Sequence, residues 1–85
     1  MIKISEFTDI TYTVTDQVAV ITINRPDRYN ALRGRTVDEL IYAFRYAYVD
    51  KGVAAIILTG AGTKAFCAGG DQKERNETGG YGETE

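Results

Sequence analysis

AAIILT (54–59) followed by GAGTKAFCAGGDQ (60–72) joins a short apolar run to a loop holding four glycines. Bounded by glycines and rich in β-branched residues, the run from Ala54 to Thr59 predicts a buried strand. A glycine loop leaving such a strand next to a helix-capable segment, Gln72 to Asn76, suits a binding loop. It is not a P-loop, because neither Gly60 nor Gly62 has a Gly-Lys-Ser/Thr five residues later. The letters Gly60-x-Gly62-x-x-Ala65 fit a dinucleotide fingerprint, but a Rossmann loop opens directly into a helix. Here Ala65-Phe66-Cys67 leads into Ala68-Gly69-Gly70, which a helix interior disfavours. Two readings stay open. The glycines simply make turns, or Gly69-Gly70 precede Asp71 as an N-cap, so that Gly70 and the following N–H groups face an anion at the positive end of a short helix.

Upstream, Ile10, Tyr12 and Val14 alternate with Thr11 and Thr13, the period of a half-buried edge or meander strand. After the turn signal at Thr15-Asp16, Val18 to Ile23 is apolar on both faces and predicts a strand covered on both sides. Asp16-Gln17 makes these two strands a hairpin, and Asn24-Arg25-Pro26-Asp27 ends the second, since Pro26 cannot donate to a ladder. From Thr36 the period changes. Val37, Leu40, Ile41, Phe44 and Tyr48 fall on one helical face, with Thr36 and Glu39 as a capping box and Gly52 as the stop. The expected order is strand, strand, helix, strand, with no internal repeat or interdomain linker.

Composition narrows the function classes. Eighty-five residues allow one small domain at most. A formal charge of −2 gives no basic footprint for a nucleic acid, although a few arginines and lysines can still hold a nucleotide-sized anion. No run approaches a membrane span, and MIKISEFTDI lacks the apolar core of a secretion signal, so a cytoplasmic protein with no membrane partner is expected. With one cysteine and no histidine, an internal disulfide, a zinc site and a histidine-based triad cannot be built from this chain alone. The end, NETGGYGETE (76–85), is too polar to offset its own ordering entropy.

Ile23-Asn24-Arg25-Pro26, Asn30-Ala31-Leu32, Ile57-Leu58-Thr59-Gly60 and Ala65-Phe66-Cys67-Ala68-Gly69-Gly70-Asp71 follow one another in order. In order and spacing they resemble the N-terminal motifs of the crotonase (enoyl-CoA hydratase/isomerase) superfamily, over nearly the whole chain. The resemblance implies an α/β fold, the crotonase-like ββα spiral, with only its N-terminal repeats present. Residues 1–75 would be the N-terminal part of the domain, and 76–85 a flexible active-site loop or tail. It also implies an acyl-CoA substrate, with coenzyme A entering as part of the thioester and no separate cofactor or metal. The remainder of the fold would lie on the same gene product or another chain, and the complete protein would be a homo-oligomer, a trimer or hexamer. A rival from another class is a non-catalytic coenzyme A-binding or interaction module.

By the same resemblance, the backbone N–H of Gly70 is one of two donors to the thioester oxygen. The second donor and further acid/base residues come from segments absent here. Gly69-Gly70-Asp71-Gln72-Lys73 and Gly79-Gly80-Tyr81 resemble the branch that makes or breaks carbon–carbon bonds in ring-bearing acyl-CoA substrates. That branch includes the 2-ketocyclohexanecarboxyl-CoA hydrolases, which Arg33-Gly34, Asp38 to Ile41 and Asp50-Lys51 resemble, and the 1,4-dihydroxy-2-naphthoyl-CoA synthases, which Gly69 to Lys73 and Gly80-Tyr81 resemble. Hydrolytic ring opening is the lead expectation, ring closure and enoyl-CoA hydration the alternatives. Tyr81 would be a lid residue orienting the substrate or moving a proton. Arg28 would pair with a phosphate, with Arg25 and Lys73 as further candidates. Coenzyme A contacts would cluster along Arg28 to Ala31 and along Ala68, Gly69, Gly70, Asp71 and Gln72, Asp71 acting as a cap and not as a catalytic carboxylate. Cys67 reads as a small buried residue without chemistry.

Overall fold

In a computed structural model, residues 1–63, 66, 67, 69 and 70 are described. Strands β1 (Ile10–Thr15) and β2 (Val18–Ile23) form the expected antiparallel hairpin. Asp16 and Gln17 both take positive φ, 50° and 67°, the twist-matched geometry of a two-residue hairpin turn. Helix α1 (Gly34–Val49) then carries the chain to β3 (Ala55–Gly60), which pairs parallel to β2. The sheet order is β1-β2-β3, so β1 is an edge strand and β2–α1–β3 is a βαβ unit. Short 3₁₀ turns at Ile4–Glu6 and Pro26–Arg28 complete the described elements. None of the described helices is long and apolar enough to cross a membrane.

The core lies between α1 and one face of the sheet. Ile10, Ile21 and Ala43 form its buried centre, with Phe7, Tyr12 and Leu40 packed against it. Ala19, Ile21 and Ile23 are buried, whereas Val18, Val20 and Thr22 on the opposite face are half-buried, so β2 is fully covered on one side only. β3 corrects the expectation of a buried strand: Ile56, Ile57 and Leu58 are all exposed, because β3 has one paired edge and little packed over it among the described residues.

The helix is where periodicity misled. Its buried residues are Thr36, Glu39, Ala43 and Ala47, about 100° around from the stripe of Val37, Leu40, Ile41, Phe44 and Tyr48. Of that stripe Leu40 packs on the core, whereas Phe44 and Tyr48 are 39% and 88% exposed. Small side chains at Ala43 and Ala47 let the helix approach the sheet, and two polar residues fix its rotation. Thr36 is not the N-cap: it stands in the first turn, and its hydroxyl accepts from the Arg33 N–H at 3.2 Å. Glu39 does not close a capping box either. Its carboxylate takes the backbone N–H groups of Thr8, Asp9 and Ile10 at 2.8–3.1 Å and the Arg35 guanidinium at 2.6 Å. At the other end α1 stops at Val49 with Asp50 as cap, and Gly52 lies in the turn beyond, its N–H bonded to the Asp50 carboxylate.

Asp9 completes the same cluster. It is 3% exposed, receives both the Nε and an Nη of Arg33 at 2.7 Å, and takes the Thr36 hydroxyl at 2.7 Å. Hydrogen bonds from Arg33, against the opposing effect of burial and with help from Thr36 and Thr8, hold the Asp9 carboxyl down at about 2. Burial pushes Glu39 upward, but the bonds from Thr8, Arg35 and Asp9 outweigh it and leave that carboxyl lowered too.

A carboxyl depressed on folding stabilises above its unfolded pKa, and that contribution is lost as pH falls through the folded value. For Asp9 the window runs from 3.8 down to about 2. Because half-exposed Arg33 is screened by solvent, the contribution at neutral pH is at most about 2 kcal/mol. Asp9→Asn is expected to lose that amount in urea denaturation at pH 7 and to flatten the acid limb of stability between about pH 4 and 2. An acid limb identical to the parent's would show that the Asp9–Arg33 pair does not contribute.

Candidate active site

Parallel strands end together, and the loops leaving the C-terminal ends of β2 and β3 are where open α/β sheets place their ligands. Here those loops are residues 24–33 and 60–70, and they are bonded to each other. In the first, Tyr29 and Asn30 adopt left-handed φ of 54° and 58° after the Pro26–Arg28 turn. Asparagine tolerates that region better than most residues. The turn brings the Asn30 N–H to the Arg25 carbonyl at 2.7 Å, while Asn30 Oδ1 accepts the Arg25 N–H at 2.9 Å. Fully buried, Asn30 also donates through Nδ2 to the Ala61 carbonyl at 2.9 Å, across to the second loop.

The second loop doubles back over Gly60. A Cβ there would collide with the Phe66 carbonyl and come within 2.8 Å of Asn30 Nδ2, so the close approach of both loops needs glycine. Further on, the Leu32 N–H donates to the Gly69 carbonyl at 2.7 Å, and Leu32 pairs with Gly70 in a parallel bridge. The Gly69 carbonyl and the Gly70 N–H belong to one planar trans peptide and point in opposite directions. With the carbonyl turned to Leu32, the Gly70 N–H points away from the first loop.

Among the sequence-predicted residues, the structure brings Ala31, Gly69 and Gly70 together at this bridge. Arg28 is exposed on the preceding 3₁₀ turn. Arg25 is a loop brace: its guanidinium donates to the Ala31 carbonyl. Cys67 is half-buried rather than buried. Ala68, Asp71, Gln72, Lys73 and Tyr81 lie outside the described residues. A groove of about 350 Å³ lies between the starts of the two loops, lined by Pro26, Asp27, Tyr29 and Asn30 on one side and residues 61–63 on the other. Tyr29 and Asn30 of the predicted 28–31 stretch line it, whereas among the described residues Arg28, Ala31, Gly69 and Gly70 do not. Sequence reasoning placed Asn30 only within the stretch 28–31 expected to contact coenzyme A, not as a clamp, and gave no role to Leu32. The left-handed preference of asparagine was a usable signal for the first, whereas Leu32 acts through its backbone and leaves none.

The sequence pattern of the enoyl-CoA hydratase/isomerase family matches residues 13–84. An enoyl-CoA hydratase/isomerase from Xanthobacter autotrophicus Py2 is similar at 42% identity with a TM-score of 0.81, over 84% of this chain and 26% of that one. A carnitinyl-CoA hydratase from Mycobacterium avium is similar at 39% identity and 0.79, over 81% and 26%. An enoyl-CoA hydratase from Mycobacterium smegmatis is similar at 38% and 0.80, over 86% and 25%. The chain thus spans about a quarter of the length of these relatives.

Two glycine substitutions separate crowding from backbone strain. Gly60→Ala is expected to lose about 3 kcal/mol in chemical denaturation, as an overpacked site does. Gly69 has φ of 92° but nothing within 4 Å of its Cβ position, so Gly69→Ala should lose only about 1–2 kcal/mol from left-handed strain. The reverse ranking would contradict the packing of the second loop over Gly60.

Proposed function

The chain belongs to the enoyl-CoA hydratase/isomerase family, and from that premise we propose that it supplies one half of an acyl-CoA thioester site, with the Gly70 N–H as an oxyanion donor. Its α/β architecture is that of the first elements of the crotonase fold. The observation carrying the reading is the Leu32–Gly69 hydrogen bond, which turns the Gly70 N–H outward from a loop at the C-terminal end of parallel strands. A donor aimed in advance at an oxygen that gains charge stabilises the transition state without reorganising. The second donor and the acid/base groups belong to the rest of the fold, on the same gene product or another chain.

In this reading the exposed Arg28 pairs with a phosphate of coenzyme A, and Ala31 and residues 68–73 run along the same molecule. Tyr81 orients the acyl group or transfers a proton. The finer reaction is hydrolytic ring opening of a cyclic β-keto acyl-CoA. Water adds to the ring ketone, the bond between that carbon and the α-carbon breaks, and its electron pair forms the thioester enolate. Its oxygen is held by Gly70 and the partner donor, and protonation at the α-carbon completes the reaction. The support is the likeness of Arg33-Gly34, Asp38 to Ile41 and Asp50-Lys51 to the ring-opening hydrolases, while Gly69 to Lys73 and Gly80-Tyr81 are like the ring-closing synthases of the same branch. Run toward bond formation, the same enolate gives Claisen-type ring closure, as in 1,4-dihydroxy-2-naphthoyl-CoA synthase. A second reading, addition of water to an enoyl-CoA, is favoured by the hydratases among the similar structures.

Assaying the full-length protein with a cyclic β-keto acyl-CoA and with an unsaturated acyl-CoA separates the two: an acyclic ω-carboxyacyl-CoA product supports ring opening, a 3-hydroxyacyl-CoA product supports hydration. Gly70→Pro deletes the donor. With melting shown to match the parent, it should lose about 3 kcal/mol of transition-state stabilisation, with Gly70→Ala as the control that keeps the N–H. Parental turnover in a folded proline variant would remove Gly70 from the mechanism. Arg28→Ala should weaken acyl-CoA binding most at low salt, where screening is least. Unchanged affinity there would leave Arg28 a surface charge.

A further inference from the structure

The direction of the Gly70 N–H is a catalytic quantity if this group receives a thioester oxygen, and the local side chains do not set it. Both residues of the peptide are glycines, and among the described residues nothing outside the chain neighbours lies within 4 Å of where a Cβ on Gly69 would be. No described side chain therefore holds the plane by packing. The holding contact is the 2.7 Å hydrogen bond from the Leu32 N–H to the Gly69 carbonyl. It fixes the rotation of the peptide plane and also polarises it, since an amide whose carbonyl accepts a bond donates more strongly from its N–H.

Leu32 in turn sits at the end of a segment fixed at several points. Two residues before it, the fully buried Asn30 ties its own loop through Oδ1 to the Arg25 N–H and reaches the second loop through Nδ2 to the Ala61 carbonyl. Between them, the Ala31 N–H donates to the Arg28 carbonyl at 3.0 Å, and the Ala31 carbonyl takes the Arg25 guanidinium. Ala61 itself is anchored to the sheet by its N–H bond to the Ile23 carbonyl at 2.8 Å. The Asn30 carboxamide is thus the side chain that sets the spacing of the two loops where Leu32 must meet Gly69.

We propose that Asn30 is a positioning residue for the Gly70 N–H, acting through the Leu32–Gly69 hydrogen bond that its clamp on Ala61 holds in register. This inference rests on the reading of Gly70 as an oxyanion donor. Asn30 touches no substrate in it, and its loss displaces a donor that must be held to within about 0.5 Å to be effective. Loss of the clamp therefore lowers turnover more than it lowers affinity.

The test uses the full-length protein and butyryl-CoA carrying ¹³C at the thioester carbonyl, observed by difference infrared spectroscopy, beside steady-state kinetics on the protein's substrate. In the parent the bound carbonyl stretch moves to lower frequency than in free butyryl-CoA. Asn30→Asp keeps the acceptor for Arg25 but loses the donor to Ala61, and Asn30→Ala loses both. Each is expected to shrink the carbonyl shift and to lower kcat about ten- to a hundred-fold, the scale of a misplaced reacting group, with butyryl-CoA affinity changed less than about threefold. Replacing the Leu32 amide by an ester removes the N–H itself while keeping the side chain, and should give the same pattern. That variant decides the matter if the Asn30 variants fail to fold. Folded variants with the parental carbonyl shift and kcat, or with losses confined to KM, overturn the positioning role and leave the Gly70 reading intact. A parent whose bound carbonyl is unshifted while butyryl-CoA is demonstrably bound instead overturns the oxyanion reading, and this proposal with it.

Discussion

Two carboxylates buried beneath the start of α1 set the geometry on which the rest of the molecule depends. A buried charge is costly unless it is paired and hydrogen-bonded, and both Asp9 and Glu39 meet that condition. Among the described residues no buried side-chain polar atom lacks a partner. Glu39 gathers three successive backbone N–H groups, from Thr8 to Ile10, just where the chain enters β1. Asp9 holds Arg33, the residue that caps α1, and Thr36 in its first turn. Rotating the helix to bury its most apolar stripe would tear both carboxylates from these bonds, so the polar cluster decides which face lies on the sheet.

That decision reaches the loops. Arg33 directly follows Leu32, so the ion pair that anchors the helix also fixes the end of the segment whose N–H meets Gly69. From the other side Asn30 fastens the same segment to the start of the second loop. The Gly70 N–H is thus held by rigid elements at both flanks although it lies in a glycine pair. A donor built on backbone alone can be this well directed because strands and a helix, not the loop, carry the cost of its order.

How legible this was from the sequence varied with the kind of interaction. Strand alternation at Ile10 to Val14, the Asp16-Gln17 turn and the stop at Pro26 are local effects, and each element appeared where its residues placed it. The helix was visible as a period, but its inward face was not. Counting apolar residues favours Phe44 and Tyr48, whereas Glu39 turns inward because of partners 29–31 residues away in sequence. The covering of β3 could not be judged from its apolar run, since exposure depends on what packs over a strand and not on its own composition. At the bridge between the loops, Gly69 and Gly70 belong to a stretch that motif order singled out, while Leu32 contributes only a backbone group. Asn30 was quoted as part of a motif, but its function as a clamp rests on a contact across 31 residues.

The free edge of β3 has a consequence for how the chain behaves on its own. Among the described residues β3 has a partner only on its β2 side, and it presents Ile56, Ile57 and Leu58 to solvent. An uncharged six-residue run of this kind, with unsatisfied backbone groups along one side, is a template for strand addition. With Phe44, Tyr48 and Val49 it borders an apolar groove of about 400 Å³. A second copy of the chain, presenting the same strand, is one segment that can add to this edge. Colloidal behaviour is thereby tied to concentration, since pairing of copies through this edge grows with the number of copies that meet.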